Sequence, residues 1–302
     1  MTIDQFRRKV WKKFNRQPES NRNIENPNLI PGGAKQAFVT SSDPVVIFHC
    51  YWYGPVGRMQ IASIYSLLAT QKNYKYEVWL WLDENTKELN TDNNKWIQAI
   101  KDKIKILYYS AEQMTQERVF GKSSFLLKET DILAYRADTF RIWALKKYGG
   151  LYFDLDIMFL KSIRPLLVGP EFVYSWEKQP YANNAIIYFR KDSWINNYVF
   201  EKAIKRHTTQ PWVLFEYADQ KLRPLYIYNS SLFDPLWEED DEVYPIHAFD
   251  EFFTKSVMDE DAVDPFPYSY AYHWHNNWKS EINDKSLFAR LEKKNCEVVK
   301  DL

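Results

Sequence analysis

The sequence predicts one α/β domain with a mostly parallel sheet flanked by helices, and three observations support this fold class. Segments rich in Val, Ile, Tyr and Trp alternate with amphipathic segments of helical length, which predicts parallel strands joined by right-handed crossovers. The 302 residues, 45% of them hydrophobic, can form one large core. One predicted strand ends in two aspartates, where open α/β sheets bind their ligands.

The first 40 residues are predicted to lie outside the domain, which we place at 41–302. Within residues 1–16, apolar side chains recur at helical spacing among basic ones, a pattern typical of a helix that lies on an anionic membrane. A helix packed on the protein's own surface, with a solvated basic face, fits the same pattern. Residues 17–36, rich in Asn, Pro and Gly, are typical of a linker.

Strands and helices alternate along the domain. Runs of β-branched and aromatic residues predict the strands, and apolar residues at helical spacing predict the helices. The predicted strands are 44–52, 76–82, 104–109, 151–153, 172–176 and 184–190. The predicted helices are 58–70, 93–102 and 125–148.

The segment 136–161, RADTFRIWALKKYGGLYFDLDIMFLK, joins a helix, a glycine pair and a strand that ends in Asp-x-Asp. Gly149 and Gly150 are expected to end the helix, because glycine adopts a left-handed backbone without a Cβ penalty. The strand then places Asp154 and Asp156 on one side of its carboxyl end. Two neighbouring carboxylates repel each other unless a cation lies between them, so the pair predicts a Mg²⁺ or Mn²⁺ site that binds a diphosphate.

A second Asp-x-Asp occurs at Asp259-Glu260-Asp261. It lies in an acidic stretch with no strand before it, and we expect it to be a solvated loop. The inference about the first pair therefore depends on its flanking helix, glycines and strand.

With these flanks, the segment resembles Asp-x-Asp glycosyltransferases of the GT32 type, which include α-1,4-galactosyltransferases, yeast mannosyltransferases and, more distantly, glucosylating clostridial toxins. That group has an Asp-x-x-Arg pair before the helix end, matched here by Asp138 and Arg141. Similar segments follow the family order in VVIFHCYWYG at 45–54 and YAYHWHNNW at 270–278. The resemblance covers about residues 44–278 and implies a Rossmann-like GT-A fold.

The resemblance also implies roles for individual residues. The expected catalytic residues are Asp138, Arg141, Asp154 and Asp156. The expected metal ligands are Asp154, Asp156, His273 and His275, since carboxylates and neutral imidazole suit Mn²⁺. The expected substrate contacts are His49, Trp52, Asn184, Asp219, Gln220 and Trp278.

Each of these roles has a structural alternative. Trp52, the expected platform for the nucleotide base, also fits a core position, and His49 fits a hydrogen-bonded structural histidine. Asp138 and Arg141 also fit a plain i,i+3 ion pair. Asn184 and the Asp219-Gln220 pair also fit turns.

The activity implied by the resemblance is that of a metal-dependent, retaining glycosyltransferase. It would move a hexose or N-acetylhexosamine from a nucleotide sugar, with UDP as the expected nucleotide, to a hydroxyl of a glycan or glycolipid in polysaccharide or glycolipid assembly. Mn²⁺ or Mg²⁺ is the expected cofactor. The alternatives are a toxin-like protein glycosyltransferase and a non-catalytic carbohydrate-binding protein.

Whole-chain properties restrict the partners and the location. The net charge of zero argues against nucleic acid as a partner. No apolar run approaches the ~20 residues of a membrane span, and the first residues lack the apolar core of a signal peptide. Cys50 and Cys296 are compatible with a reducing compartment. We therefore expect a cytoplasmic protein, with residues 1–16 as a peripheral membrane contact.

Overall fold

The computed structural model describes residues 45–71, 74–116, 132–237 and 244–301. The helix expected within residues 1–16, the linker at 17–36 and the first part of the helix expected at 125–148 lie outside the described residues.

Strands and helices alternate through the first half of the described chain. The strands are β1 Val46–Trp52, β2 Tyr76–Asp83, β3 Lys105–Tyr109, β4 Gly150–Phe153, β5 Ile157–Phe159, β6 Phe172–Ser175, β7 Ala182–Phe189, β8 Tyr226–Tyr228 and β9 Ala271–His273. The helices are α1 Arg58–Thr70, α2 Lys95–Ile100, α3 Ala111–Gln116, α4 Leu133–Tyr148, α5 Arg164–Leu167, α6 Trp194–Arg206, α7 Pro211–Leu214, α8 Glu251–Thr254 and α9 Leu287–Lys300.

Seven strands form one sheet in the order β3-β2-β1-β4-β7-β6-β8. Strand β7 is antiparallel to both of its neighbours, and the other pairings in this sheet are parallel. The carboxyl ends of β1, β4 and β6 therefore meet at one edge. This arrangement confirms the predicted α/β class with a mostly parallel sheet.

Helices cover both faces of the sheet. Phe48 and Leu151 belong to a core shared with α1 and α9. Tyr51 and Tyr152 belong to a second core shared with α4 and α6. Successive strand side chains point to opposite faces, so each central strand contributes to both cores.

The glycine pair ends α4 as predicted. The Gly149 amide donates to Leu145 O at 2.8 Å, and Gly149 and Gly150 have φ values of +68° and +100°. A Cβ on Gly150 would lie 2.2 Å from Ile47 O, and one on Gly149 would lie 2.4 Å from Lys191 N. Both positions therefore require glycine, and this close passage lets β4 pair with β1.

A two-stranded antiparallel sheet brings the end of the chain to the Asp-x-Asp turn. Strand β5 pairs with β9, and Ile157 lies opposite His273. Tyr272 and Trp274 anchor this segment in a third, aromatic core. The sequence analysis predicted neither β5 nor β9, because three-residue strands carry little pattern of their own.

The second Asp-x-Asp lies elsewhere, at a short 3₁₀ turn over Glu260–Ala262. The Asp259 side chain is 88% exposed and forms an ion pair with Arg290. The expected solvated loop is confirmed. Across the described ranges, we find no helix with the length and apolar character needed to cross a membrane.

Candidate active site

A cleft of about 550 Å³ opens at the carboxyl ends of β1 and β4. Most of the residues predicted for the site contribute to its walls. Those that line it are Trp52, Asp138, Arg141, Asp154, Asp156, Asn184, His273, His275 and Trp278. The fold thus brings together side chains separated by more than two hundred residues.

Arg141 is the centre of one polar network. Its Nη2 donates to Asp154 Oδ1 at 3.0 Å and lies 3.5 Å from Asp138 Oδ1, and its Nη1 donates to Asn184 O at 2.5 Å. Asn184 Nδ2 completes the network by donating to Asp138 Oδ1 at 2.7 Å. The i,i+3 pair is therefore buried and tied to β4 and β7, unlike a plain surface ion pair.

Asp154 lies between this network and the second aspartate. Tyr152 Oη donates to Asp154 Oδ1 at 2.6 Å, beside the bond from Arg141. Burial raises the pKa of Asp154 above its ordinary value, Asp156 adds to the rise, and Arg141 opposes it. A cation placed between the two aspartates would offset this cost.

Asp156 faces the C-terminal segment. Its Oδ2 lies 3.2 Å from His273 Nε2 and accepts the Asn276 amide at 2.9 Å. Burial alone would raise the pKa of Asp156, but His273 and the Asn276 amide favour the carboxylate and lower the pKa to about 2. Asp156 is therefore ionised at neutral pH.

A third carboxylate, Asp234, lies behind the two histidines. Its Oδ1 is 2.7 Å from His275 Nε2, and its Oδ2 is 3.4 Å from His273 Nδ1. Burial lowers the pKa of His273, but Asp156 and Asp234 more than compensate, so the pKa lies well above its ordinary value. Tyr174 Oη forms a hydrogen bond with His273 Nδ1 at 3.0 Å, and this bond orients the ring with Nε2 toward Asp156. Asp234 Oδ2 has no hydrogen-bond partner among the described residues, so it acts on His273 through its charge.

The residues of this group fit a divalent cation. Asp138 and Asp154 lie beside the Arg141 guanidinium, and Asp156 and Asp234 lie beside the His273 ring. Four carboxylates therefore face two basic groups, and this excess of negative charge favours a cation. Adjacent ligands of an octahedral metal at ~2.1 Å are about 3 Å apart, close to the 3.2 Å between Asp156 Oδ2 and His273 Nε2. A second grouping, Asp234, His273 and His275, has ligand atoms within 4.8 Å of one another.

Two tryptophans line the cleft near the end of β1. The Trp52 and Trp278 rings meet edge to face, with centroids 4.8 Å apart. Each ring is held by a hydrogen bond from its Nε1, from Trp52 to Pro55 O at 3.0 Å and from Trp278 to Asn276 Oδ1 at 3.1 Å. Both are partly buried, so the pair offers a fixed apolar surface to a planar ligand.

His49 does not line the cleft, which corrects its placement among the substrate contacts. The residue is fully buried in β1. Its Nε2 bonds Gly149 O at 3.0 Å, and its Nδ1 accepts Trp81 Nε1 at 3.2 Å. Burial lowers the pKa of His49 to about 4, so the ring is neutral and joins β1 to the glycine turn.

Asp219 and Gln220 also lie away from the cleft, which corrects a second expectation. Asp219 Oδ2 accepts Lys202 Nζ at 2.6 Å and Tyr198 Oη at 2.7 Å, and Lys202 is almost fully buried. Gln220 begins a 3₁₀ turn, and both residues line a narrow crevice beside Leu222. Asp219 stabilises the packing of α6 because, together with Glu216, it neutralises the buried Lys202.

Sequence reasoning missed several residues of the site. These are Asp234, which contacts both histidines, and Gln210, Trp176 and Trp212, which line the cleft. The Gln-Pro-Trp run at 210–212 was the available signal, because a proline after a polar residue marks a turn at a helix start. Asp234 lies among short 3₁₀ turns and gave no periodic pattern.

Residues 58–173 match the family model described as a glycosyltransferase sugar-binding region containing a DXD motif. The matched segment includes Asp138, Arg141, Asp154 and Asp156, although it is less than half of the chain. The class of protein that the match supports is a glycosyltransferase with an Asp-x-Asp motif. The match does not distinguish the GT32 type.

Several solved structures are similar to this chain. One is described as PaToxG glycosyltransferase, with 21% identity over 59% of this chain and 68% of that chain and a TM-score of 0.44. Another is the bifunctional glycosyltransferase WbbM in its apo form, with 12% identity, coverage of 86% and 52%, and a TM-score of 0.46. A third is galactosyltransferase LgtC in complex with donor and acceptor sugar analogs, with 14% identity, coverage of 85% and 96%, and a TM-score of 0.45. No curated protein matches the chain.

Proposed function

We propose that the protein is a metal-dependent, retaining glycosyltransferase of the GT32 type. It transfers a hexose or N-acetylhexosamine from a UDP-sugar to a hydroxyl of a glycan or glycolipid. The observation that carries this proposal is the convergence of Asp154, Asp156 and His273 beside the buried Arg141 in one cleft.

Asp156, Asp154 and His273 are the residues that would hold Mn²⁺ or Mg²⁺. When bound, the ion supplies positive charge that stabilises the diphosphate leaving group of the donor. Tyr174 holds the His273 ring through Nδ1, and the Asn276 amide holds Asp156, so both ligand atoms are held before the donor arrives.

The donor's base and sugar fit different parts of the cleft. The base stacks on the Trp52 and Trp278 surface, because every base has an apolar face that an aromatic ring can cover. The sugar hydroxyls contact Asp138, Arg141 and Asn184, whose mutual hydrogen bonds keep them in place. Such preorganisation reduces the entropy lost on binding.

The hydrogen bonds and ion pairs of the three carboxylates indicate how the sugar is transferred. Asp138 is held by Asn184, Asp154 by Arg141 and Asp156 by His273, so we assign none of them as a nucleophile. The acceptor hydroxyl oxygen bonds the anomeric carbon on the face that the diphosphate leaves. The anomeric C–O bond breaks with its electron pair on the diphosphate, and a departing phosphate oxygen takes the hydroxyl proton. Configuration is therefore retained.

The first experiment measures hydrolysis of UDP-Gal, UDP-Glc, UDP-GlcNAc, UDP-GalNAc and GDP-Man without acceptor, with and without Mn²⁺. We expect Mn²⁺-dependent release of UDP from a UDP-sugar, and an Asp156→Asn variant about a hundredfold slower or more. Asp259→Asn, in the exposed second Asp-x-Asp, is the matched control and keeps the wild-type rate.

Three results would contradict the proposal in whole or in part. Full activity of Asp156→Asn would show that Asp156 is not required as a metal ligand. Absence of both hydrolysis and metal-dependent nucleotide binding in the wild type would favour a non-catalytic carbohydrate-binding protein. Hydrolysis accompanied by transfer only to protein would favour the toxin-like alternative.

A further inference from the structure

A second aromatic surface lines the cleft on the other side of the Asp-x-Asp turn. Trp52 ends β1, one strand to one side of β4, whereas Trp176 directly follows β6, two strands to the other side. At ~4.8 Å per strand, these positions are separated by about 14 Å across the sheet. Trp212, just after the start of α7, joins Trp176 in lining the cleft.

Supporting rings hold this surface in place. The Trp176 ring stacks on Trp237 at 6.4 Å and 11° and meets Tyr181 edge to face at 5.7 Å. Tyr181 also contacts the Trp212 ring at 6.4 Å, and Trp237 contacts the His275 ring at 4.6 Å. The surface is therefore continuous with the histidines of the candidate metal site, and Trp212 remains 38% exposed.

Gln210 supplies a polar group beside these rings. Its side chain lines the cleft and the residue is only 5% exposed. Its Nε2 is buried and has no hydrogen-bond partner among the described residues. An unpaired buried donor is unfavourable, so a turn of the side chain that brings Nε2 to the cleft wall would let a ligand oxygen accept its hydrogen bond.

The charges of the cleft indicate what such a ligand carries. Among the described residues that line it, the one lysine or arginine is Arg141, which is engaged by Asp154 and Asp138. A phosphorylated or carboxylated ligand would find no lysine or arginine beside Trp176 and Trp212 in this lining. A neutral sugar fits better, because its ring face carries C–H groups that pack on an indole and its edge carries hydroxyls that accept hydrogen bonds.

We propose that Trp176, Trp212 and Gln210 form the acceptor subsite, and that the acceptor enters as a neutral sugar ring. This inference rests on the proposed function, because an acceptor subsite presupposes a transferase. Stacking on Trp176 and Trp212, with Gln210 Nε2 donating to a hydroxyl, holds the ring beside the donor sugar.

The experiment separates acceptor binding from donor chemistry. Donor hydrolysis without acceptor is measured for wild type, Trp212→Ala, Trp212→Phe, Gln210→Met and a control, Trp194→Ala, whose ring is 55% exposed on α6. Binding of lactose, maltose and the methyl glycosides of glucose, galactose, mannose and N-acetylglucosamine is followed by saturation-transfer NMR. Transfer to each saccharide that binds, and to a mixed peptide library, is then measured.

We expect wild-type hydrolysis in the Trp194→Ala control, and a wild-type donor KM in the Trp212 and Gln210 variants, since none of them alters the donor residues. The saccharide KM should rise about tenfold or more in Trp212→Ala and Gln210→Met, recover in Trp212→Phe, and remain unchanged in Trp194→Ala. Absence of donor hydrolysis by the wild type would overturn the proposed function itself. With hydrolysis intact, an unchanged acceptor KM in Trp212→Ala, failure of every saccharide to bind, or transfer to peptides alone would overturn only the subsite.

Discussion

Replacement of Arg141 by methionine tests the polar network at the centre of the cleft. The guanidinium is almost fully buried and is the positive group beside Asp138 and Asp154. Its removal takes the positive charge from two carboxylates that keep only the neutral donors Asn184 and Tyr152. It also removes the 2.5 Å hydrogen bond that Asn184 O accepts. Loss of one partner of a buried ion pair lowers the free energy of unfolding by about 3–5 kcal/mol. Because the Arg141 guanidinium is almost fully buried, solvent screening should reduce this figure little.

The assay is urea unfolding followed by tryptophan fluorescence, together with donor hydrolysis on the same samples. With a denaturant slope of about 3 kcal/mol per molar urea, the midpoint should fall by about 1–1.7 M. Arg206→Met, at the exposed end of α6, serves as the control and should shift the midpoint little. A midpoint for Arg141→Met equal to that of the wild type would refute the inference that Arg141 compensates these carboxylates. Normal donor hydrolysis by Arg141→Met would refute the proposed contact of Arg141 with the donor sugar.

Three further predictions concern the turn, a buried ion pair and the base platform. Gly150→Ala should lower the free energy of unfolding by about 3 kcal/mol or more, because the new Cβ would lie 2.2 Å from Ile47 O. Gly169→Ala is the control, because its nearest contact would be at 3.4 Å, and it should have little effect. Both variants are compared with the wild type by thermal melts. Asp219→Asn should cost about 1–3 kcal/mol at pH 7 by urea unfolding, with unchanged hydrolysis. Burial raises the pKa of Asp219, but the hydrogen bonds from Lys202 and Tyr198 outweigh it and lower the pKa below its ordinary value of 3.8. The stabilisation is therefore present above pH 3.8 and lost as the pH falls through the folded pKa, and a difference from wild type that did not decrease at all below pH 3.8 would contradict this origin. Trp52→Ala should raise the donor KM about tenfold or more, measured by UDP release. An unchanged KM would show that the nucleotide base does not stack on this ring.

Local pattern was sufficient for the elements on which the fold depends. Apolar runs predicted six of the seven strands of the main sheet, all except β8, and the glycine pair predicted the end of α4. Both signals arise from interactions among neighbouring residues, namely side-chain periodicity and the absence of a Cβ. The flanks of Asp154 and Asp156 likewise separated this pair from the exposed copy at Asp259.

Long-range packing decided the roles that sequence reasoning assigned wrongly or missed. His49 has the residue type of a ligand-binding group, but the close passage of Gly149 gives its Nε2 a backbone partner. Asp219 could not be separated from a cleft residue until α6 brought Lys202 against it. Neither contact can be predicted from the spacing of nearby residues.

The sequence by itself determined the α/β class, the glycine turn and the carboxylate pair, because each depends on the local preferences of adjacent residues. The tertiary structure alone decided which histidine faces Asp156, that Tyr174 bonds the other nitrogen of its ring, and that Gln210 and Trp212 share the cleft. Those outcomes depend on the pairing of β5 with β9 and on the order of strands in the sheet. Such contacts join residues far apart in the chain, so their energies are defined only once the whole core has packed.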